Sequence, residues 1–224
     1  MKKTISLVII IGLVASLSYL IFEPEIAKGT AANADIGVLQ TVTAEITLAC
    51  DGSVNDLDPI PGMSGGTSDG SFSCTTTTNN DTGYSLRLRK AGLLCHGAGC
   101  VENQQFDDYP GPTDNPIHYN WQDAGAGAEY WGFNMTSGVD VTQRFRNASG
   151  PAAPCNTEGG VVTPGQCWVR IPTDSPGETV ASRGIPTPVG GIASGFGVRI
   201  QAGSNNLLRS GNYTTTLVVT AAMN

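Results

Sequence analysis

Two histidines are the side chains of this 224-residue chain best suited to acid–base chemistry. His96 lies inside CHGAGC, a tight loop between two cysteines, and His118 lies in a Pro- and Asn-containing stretch. A Ser–His–Asp triad needs a nucleophile on a defined turn beside a base, whereas Ser149 and Ser194 have ordinary turn surroundings. We therefore expect structural or surface roles for both histidines and assign no catalytic residue.

A group of carboxylates and aromatic rings surrounds a Pro/Gly-rich loop, and it has three interpretations. A solvated acidic loop is the simplest, a sugar-binding surface is the second, and a glycosidase with two facing carboxyls is the third. Adjacency in sequence does not show that two carboxyls face each other. The candidate glycan contacts are Asp107, Asp108, Tyr109, Tyr119 and Trp121.

The segment DGSVNDLD places oxygen-bearing side chains at the first three ligand positions of a calcium loop. These residues are Asp51, Ser53 and Asn55. The match is incomplete, because Asp56 stands where the motif has Gly and Gly62 stands where it has Glu. An ordinary Asx-rich turn competes with a structural calcium ion here, and no other cofactor is predicted.

Six cysteines lie behind an apparent export signal, which favours disulfides over a reduced or metal-bound state. The spacings contain no C-x2-C pair and the histidines are few, which argues against a zinc site. Six cysteines allow fifteen connectivities. We favour pairing in sequence order, because each pair then closes a Gly/Pro/Asn-rich segment. The predicted pairs are Cys50–Cys74, Cys95–Cys100 and Cys155–Cys167.

The chain begins with a pattern typical of a secretory leader. Met1–Lys3 is basic, Thr4–Phe22 is apolar and uncharged, and Ala32–Ala34 supplies an A-x-A cleavage pattern. The polar stretch Glu23–Thr30 is long for a signal peptide, so an uncleaved N-terminal membrane anchor is the alternative for residues 1–34. Either way the remainder is predicted to be secreted or at the cell surface.

The exported part is acidic, with nine basic and seventeen acidic residues after residue 34, so its net charge is 9 − 17 = −8. It has no basic stripe with interleaved aromatic residues, which excludes a typical nucleic-acid-binding surface. Contact with a membrane is expected only through an uncleaved leader.

The elements that must position these residues are short strands with period-2 alternation, separated by Gly, Pro, Asn and Thr. They predict one all-β domain over residues 35–224, an antiparallel β-sandwich of Ig-like or Greek-key type. Long disulfide-stapled loops are predicted over about 91–129 and 146–166. The predicted strands are Ile36–Leu48, Ser71–Thr78, Tyr84–Lys90, Tyr130–Met135, Val139–Phe145, Cys167–Pro172, Gly195–Ala202 and Ser210–Asn224.

Three finer expectations follow from these strands. Ser71–Thr78 and Tyr84–Lys90 flank a turn sequence and are expected to form a hairpin. The closing strand Ser210–Asn224 is expected to bury one face in the core, with Ile36–Leu48 as its neighbour. Trp131, Phe133 and Met135 share one face, for which core packing is the first interpretation and a binding platform the second.

The chain resembles small secreted β-sandwich proteins of bacterial surfaces, including WxL-like and pilin-like or coat-protein-like domains. The segments that carry the resemblance are the leader, VTAEITLAC (Val42–Cys50), CTTTTNNDTGYSLRL (Cys74–Leu88), WGF (Trp131–Phe133) and GNYTTTLVVTA (Gly211–Ala221). The resemblance implies a non-catalytic protein that attaches to cell walls, binds neighbours or forms fibres. The chain has no W-x-L sequence, so peptidoglycan attachment does not transfer.

Three functions therefore compete. The first is an exported, non-catalytic structural or adhesive surface protein, whose partners would be cell-wall or surface polysaccharide or other surface subunits. The second is a carbohydrate-binding module that uses the Tyr109–Trp121 loop. The third is a secreted hydrolase.

Overall fold

The structure is a computed structural model that describes residues 39–97, 100, 104–110, 121, 128–148, 154–205 and 207–224. By its internal contacts the chain divides into Met1–Val42 and Thr43–Asn224, and every described strand lies in the second unit. The strands are β1 (Ile46–Cys50), β2 (Gly66–Thr78), β3 (Tyr84–Lys90), β4 (Leu94–His96), β5 (Gln105–Asp108), β6 (Glu129–Ser137), β7 (Glu178–Arg183), β8 (Ile192–Ala202), β9 (Tyr213–Thr214) and β10 (Leu217–Met223). A single 3-10 turn, Gln143–Phe145, accompanies them within these ranges.

The strands form two sheets, which confirms the all-β class. The large sheet has the order β1-β2-β8-β6-β5-β4-β9, and the small sheet has the order β10-β3-β7. All pairs between these strands are antiparallel except β5 with β6, which is parallel, so the large sheet is mixed. The architecture is sandwich-like, because side chains from both sheets share one hydrophobic core.

The core forms where the alternation of several strands converges. Leu86 and Leu88 of β3 are fully buried with Phe133 of β6. Phe72 of β2 stacks on Phe196 of β8, with ring centroids 4.5 Å apart. Trp131, Phe133 and Met135 are all buried, which confirms the core interpretation of the WGF segment.

The predicted hairpin between Ser71–Thr78 and Tyr84–Lys90 is wrong. Strand β2 is bordered by β1 and β8, whereas β3 is bordered by β10 and β7, so the two runs lie in different sheets. The turn Asn79–Gly83 instead carries the chain across the sandwich. Gly83 has φ +75°, and a Cβ there would collide with the Arg183 carbonyl, so this crossing requires glycine.

The predicted thirteen-residue strand Ile36–Leu48 is confirmed only at Ile46–Leu48 and is wrong for residues 39–45. Residues 39–45 are outside any strand, and β1 begins only at Ile46. The predicted residues 36–38 lie outside the described residues. Strand β1 pairs antiparallel with β2, from Ile46 opposite Thr78 to Cys50 opposite Cys74.

The closing strand pairs with β3, from Leu217 opposite Lys90 to Met223 opposite Tyr84. Its expected neighbour, the N-terminal strand, contacts it as β1 but forms no hydrogen-bonded ladder with it. The predicted inward face of the closing strand is largely confirmed. Tyr213, Leu217, Val219 and Ala221 pack on the core, whereas Met223 is exposed.

Two predicted strands are absent, and one predicted loop contains two strands that were not predicted. Val139–Phe145 holds the 3-10 turn, and Cys167–Pro172 makes only an isolated bridge, between Val169 and Phe133. The predicted loop 91–129 contains β4 and β5.

The six cysteines are joined as Cys50–Cys74, Cys95–Cys100 and Cys155–Cys167, which is the connectivity that we favoured from the sequence.

Candidate functional site

One feature that could receive a partner is a cavity of about 660 Å³ at one side of the sandwich. It opens between the end of β1 with its following loop and the segment that runs through β9 into β10. We call it the edge groove. Its lining residues are Cys50–Val54, Leu57, Phe72, Leu94, Trp131, Val198, Ile200 and Tyr213–Val219.

Each rim of the edge groove includes part of an edge strand, namely Cys50 of β1 and Leu217–Val219 of β10. Strand β1 ends the large sheet and pairs with β2 alone, and β10 ends the small sheet and pairs with β3 alone, among the strands that the structure describes. An edge strand presents a row of N–H and C=O groups that can pair with another chain. The edge groove therefore borders two edge strands and has a hydrophobic floor.

The floor of the groove is apolar except for one indole N–H. Phe72, Leu94, Val198 and Ile200 supply hydrocarbon surface. Trp131 is 2% exposed, and its Nε1 has no hydrogen-bond partner in the described part of the chain. A buried donor without an acceptor costs about 1–3 kcal/mol, so an occupant with a suitably placed oxygen would relieve that cost.

The mouth of the groove contains the predicted calcium residues, but their oxygens are used within the fold. Asp51 Oδ2 accepts a hydrogen bond from the Ser73 amide at 2.7 Å, and the Asn55 backbone bridges to Ser71. Ser53 Oγ donates to Asn55 Oδ1 at 3.4 Å. No group of three or more His, Cys, Asp or Glu side chains suited to a metal ion occurs among the described residues.

The groove carries little charge, because Asp51 is the one charged residue among its described lining residues. Tyr213 lies on the rim, donates its hydroxyl to the Arg209 carbonyl at 3.0 Å, and packs edge-on against Phe106. Burial raises the pKa of the Tyr213 phenol, so it stays neutral at physiological pH.

The candidate glycan residues do not form one exposed surface. Tyr109 is 2% exposed, and Asp108 accepts a hydrogen bond from the buried Lys90 ammonium. Asp107 is the next residue of β5, so its side chain points to the other sheet face, and it accepts from Gln105 at 3.2 Å. Tyr119 lies outside the described residues. The Asp107–Asp108 pair therefore does not present two facing carboxyls as a glycosidase requires.

Trp121 belongs to an aromatic and cationic cluster that sequence reasoning missed. Its ring stacks on Tyr109 at 4.3 Å between centroids and meets the edge of Trp168 at 5.2 Å. The Arg199 guanidinium lies over both indoles, 5.5 Å from Trp121 and 4.9 Å from Trp168, and pairs with Asp69 in a bidentate fashion at 2.6 and 2.7 Å. Since Tyr109 covers one face of Trp121, that face is not free for a sugar.

Besides Ser149 and Ser194, two serines lie in matches to G-x-S-x-G, at Gly62–Gly66 and at Gly66–Gly70. In a hydrolase this motif places the serine on a sharp turn from strand to helix. Here Ser68 lies inside β2, is buried, and its Oγ has no hydrogen-bond partner among the described residues. His96 packs against Tyr213, at the far edge of the same sheet, and His118 lies outside the described residues.

Comparison with known proteins gives no family for the chain: no family model matches it, and no curated protein sequence is significantly similar. Across the described residues, no helix has the length and apolar character needed to span a membrane. The three disulfides indicate an oxidising, extracytoplasmic environment.

Proposed function

We propose that the protein is an exported, non-catalytic structural or adhesive subunit of the cell surface. The edge groove is the observation that carries this proposal. A soluble domain usually covers or blunts its edge strands, because an open edge with hydrophobic surface beside it invites pairing with another chain. Here parts of two edge strands, β1 and β10, border one apolar cavity, which suits a protein whose task is to bind other proteins.

The chemistry of the chain is consistent with export. Its six cysteines are all paired. The disulfides join β1 to β2 through Cys50–Cys74, β4 to Cys100 through Cys95, and Cys155 to Cys167. Such bonds persist in oxidising compartments, where a secreted surface subunit must last without repair. The leader-like sequence Met1–Ala34 supports the same destination.

Carbohydrate binding has less support. Tyr109 and Asp108, two of its five candidate contacts, are engaged within the fold, and the stack on Tyr109 occupies one face of Trp121. A secreted hydrolase has the least, because neither Ser68 nor the Asp107–Asp108 pair has a catalytic arrangement.

The test is to express the full chain with its own leader in a bacterial host and to fractionate the cells. We expect disulfide-bonded protein outside the cytoplasm, with a mass distribution above that of the monomer by analytical ultracentrifugation. A turnover activity that one Asp or His substitution abolishes would contradict the proposal, and so would reduced, monomeric protein in the cytoplasm.

A further inference from the structure

The edge groove leads into the interior of the sandwich and is not an unfilled strand position. Strands β1 and β10 already contact each other. The turn Asn79–Gly83 binds Glu45 ahead of β1 and Asn224 after β10, so the two strands lie together at that end. The groove opens at the opposite end, around Cys50 and Leu217, and reaches side chains that belong to the core. Its occupant is therefore a molecule that fits between the two layers.

The floor of the groove is elongated. It includes Phe72 of β2 and Leu94 of β4, and these strands lie four positions apart in the large sheet. At about 4.8 Å between neighbouring strands, this distance is roughly 19 Å. Val198 of β8 and Trp131 of β6 continue the floor between them. An extended chain advances about 1.2 Å per bond, so about sixteen bonds follow this floor. The shape thus suits a single hydrocarbon chain.

The lining changes from polar at the mouth to apolar at the floor. The mouth residues are exposed and carry hydroxyl or carboxylate groups: Asp51, Ser53, Thr214 and Thr216. The floor residues are buried and, apart from one indole N–H, apolar: Phe72, Leu94, Trp131 and Val198. Protein interiors contain few voids larger than a water molecule, and an apolar cavity takes an apolar guest in preference to water. The groove therefore has the polarity profile of an amphiphile.

We propose that the edge groove binds an uncharged single-chain lipid. The hydrocarbon tail lies along the floor, and a head group that carries hydroxyls lies at the mouth. The ligand is a small molecule and its binding does not require copies of the chain to assemble, so the inference goes beyond the proposed structural role. A pocket of about 660 Å³ with an apolar lining and a few polar groups is within the usual range of small-molecule sites.

Charge at the mouth selects the head group. Asp51 is the one charged residue among the described lining residues, and its carboxylate is held in place by the Ser73 amide at 2.7 Å. An anionic head group would be repelled by this carboxylate. Three of the four mouth residues are hydroxyl-bearing, which favours a head group that exchanges hydrogen bonds over one that pairs as a cation. An uncharged hydroxyl head group satisfies both conditions.

The first test measures the affinity of 1-alkylglycerols with alkyl chains of about eight to eighteen carbons, each below its micelle-forming concentration. The protein is the full chain, expressed with its own leader and purified with its disulfides intact. We expect the affinity to rise about three- to four-fold per methylene and to level off near sixteen carbons, where the floor ends. No saturable binding, or a rise without a limit, would overturn the proposal.

The second test places the ligand in the groove. Val219 lines the groove, and its neighbour Thr220 is exposed and points to the opposite side of β10. We expect Val219→Trp to weaken binding of the twelve-carbon alkylglycerol at least about ten-fold, because the new ring fills the cavity. Thr220→Trp adds the same ring outside it and should leave the affinity unchanged. Equal affinities in the two variants, each shown to be folded by urea unfolding, would overturn the site.

The third test addresses the head group without altering the core. The twelve-carbon alkylglycerol should bind wild-type protein about five-fold more tightly than the carboxylate of the same chain length. Asp51→Asn removes the charge and keeps an oxygen for the Ser73 amide, so it should abolish most of this difference. Equal or tighter binding of the carboxylate, or of the matching trimethylammonium compound, to the wild type would overturn the uncharged class.

Trp131 reports where the tail lies. It is the one of the three tryptophans that occurs among the described lining residues of the groove. Trp121 and Trp168 pack against Arg199, whose side chain lies on the other face of β8 from Val198. We expect an alkylglycerol with a brominated tail to quench part of the indole emission. Trp131→Phe should remove that quenching and Trp168→Phe should retain it; the reverse result would contradict a tail on this floor.

These outcomes separate the lipid site from the structural role. Protein that assembles in analytical ultracentrifugation but binds no alkylglycerol would overturn the lipid site and leave the structural role standing. Protein that stays monomeric at all concentrations but binds the alkylglycerol with the expected chain-length limit would contradict the structural role and support the lipid site.

Discussion

The ammonium group of Lys90, which is fully buried, donates a hydrogen bond to the carboxylate of Asp108. Lys90 ends β3 of the small sheet and Asp108 ends β5 of the large sheet, so this ion pair joins the two layers of the sandwich. The same ammonium lies 5.3 Å from the ring centroid of Trp131. The pair is therefore part of the packing beneath the edge groove.

Breaking this ion pair from its acidic side should destabilise the fold. Asp108→Asn leaves the Lys90 charge buried without its counter-charge, a change that costs about 3–5 kcal/mol when both partners are buried. Because the Asp108 side chain is 39% exposed, we expect about 2–3 kcal/mol in urea unfolding. The control Asp107→Asn, next to it on the other face, should stay within about 0.5 kcal/mol.

The double variant Lys90→Met/Asp108→Asn tests the reason for that loss. It removes the buried charge along with its partner, so it should recover most of the stability that Asp108→Asn loses. Equal unfolding free energies for the single and double variants would show that the buried charge is not the cause.

The pH dependence of stability should contain a distinct contribution from Tyr84. Burial, and then the neighbouring Asp140 carboxylate, raise the pKa of its phenol far above the usual value of 10. Above about pH 10 the unfolded state therefore releases a proton that the folded state keeps, and stability falls as pH rises. The Tyr84 part of this loss approaches about 1.4 kcal/mol per pH unit.

The variant Tyr84→Phe isolates this contribution, because it keeps the ring and removes the ionisable hydroxyl, which donates to Asp140 at 3.3 Å. Near pH 7 the variant should be less stable than the wild type by about 1 kcal/mol. Between about pH 10 and 11 we expect the difference to shrink or change sign. Parallel stability curves over this range would contradict the assignment.

The loop closed by Cys155–Cys167 should depend on one buried amide. Asn147 donates its side-chain amide to Gln166 Oε1 at 2.6 Å and accepts from Thr163 Oγ1 at 2.8 Å, and its backbone pairs with Val161. Asn147→Ala removes both side-chain bonds and should cost about 1–3 kcal/mol of unfolding free energy. The exposed Asn205→Ala is the matched control, with an expected change within about 0.5 kcal/mol.

The Cys50–Cys74 disulfide should matter more than Cys95–Cys100, because it closes a longer loop. The sequence separations are 24 and 5 residues, for which loop entropy gives about 3.5 and about 2 kcal/mol. We expect double replacement by Ala to follow this order in thermal unfolding. Amide exchange should accelerate in β1 for the first variant alone; equal acceleration in both would contradict a local role for Cys50.

The sequence could predict strands whose side chains alternate in a half-buried setting. In β3, Tyr84, Leu86 and Leu88 alternate with polar residues, and the structure gives that strand with the predicted bounds. The same period places Lys90 on the buried face, which indicates that it needs a counter-charge but does not identify Asp108 as the partner. Disulfide order was also accessible, because each pair closes a local loop.

Pairing partners could not be predicted in the same way, because they depend on contacts distant in sequence. Gly66–Gly70 has little strand propensity, yet it pairs with Val198–Ala202 because β8 offers an adjacent edge. The turn Asn79–Gly83 has the composition of a hairpin turn, and only the neighbours of β2 and β3 show that it connects two sheets. The candidate site was missed because a groove between strand edges leaves no motif in the sequence.

The turn Asn79–Gly83, which connects the two sheets, forms hydrogen bonds with residues near both ends of the described fold. Asn79 binds the backbone of Thr43 and Glu45, and Thr82 Oγ1 donates to the main-chain oxygen of Asn224 at 2.5 Å. A tensile force applied ahead of Thr43 would therefore load β1 in shear against β2. Extension would stop at the Cys50–Cys74 covalent bridge after about eight residues, or roughly 28 Å of chain. We expect the force to pass from there directly into β2, so that the disulfide acts as a mechanical stop that protects the core from unravelling.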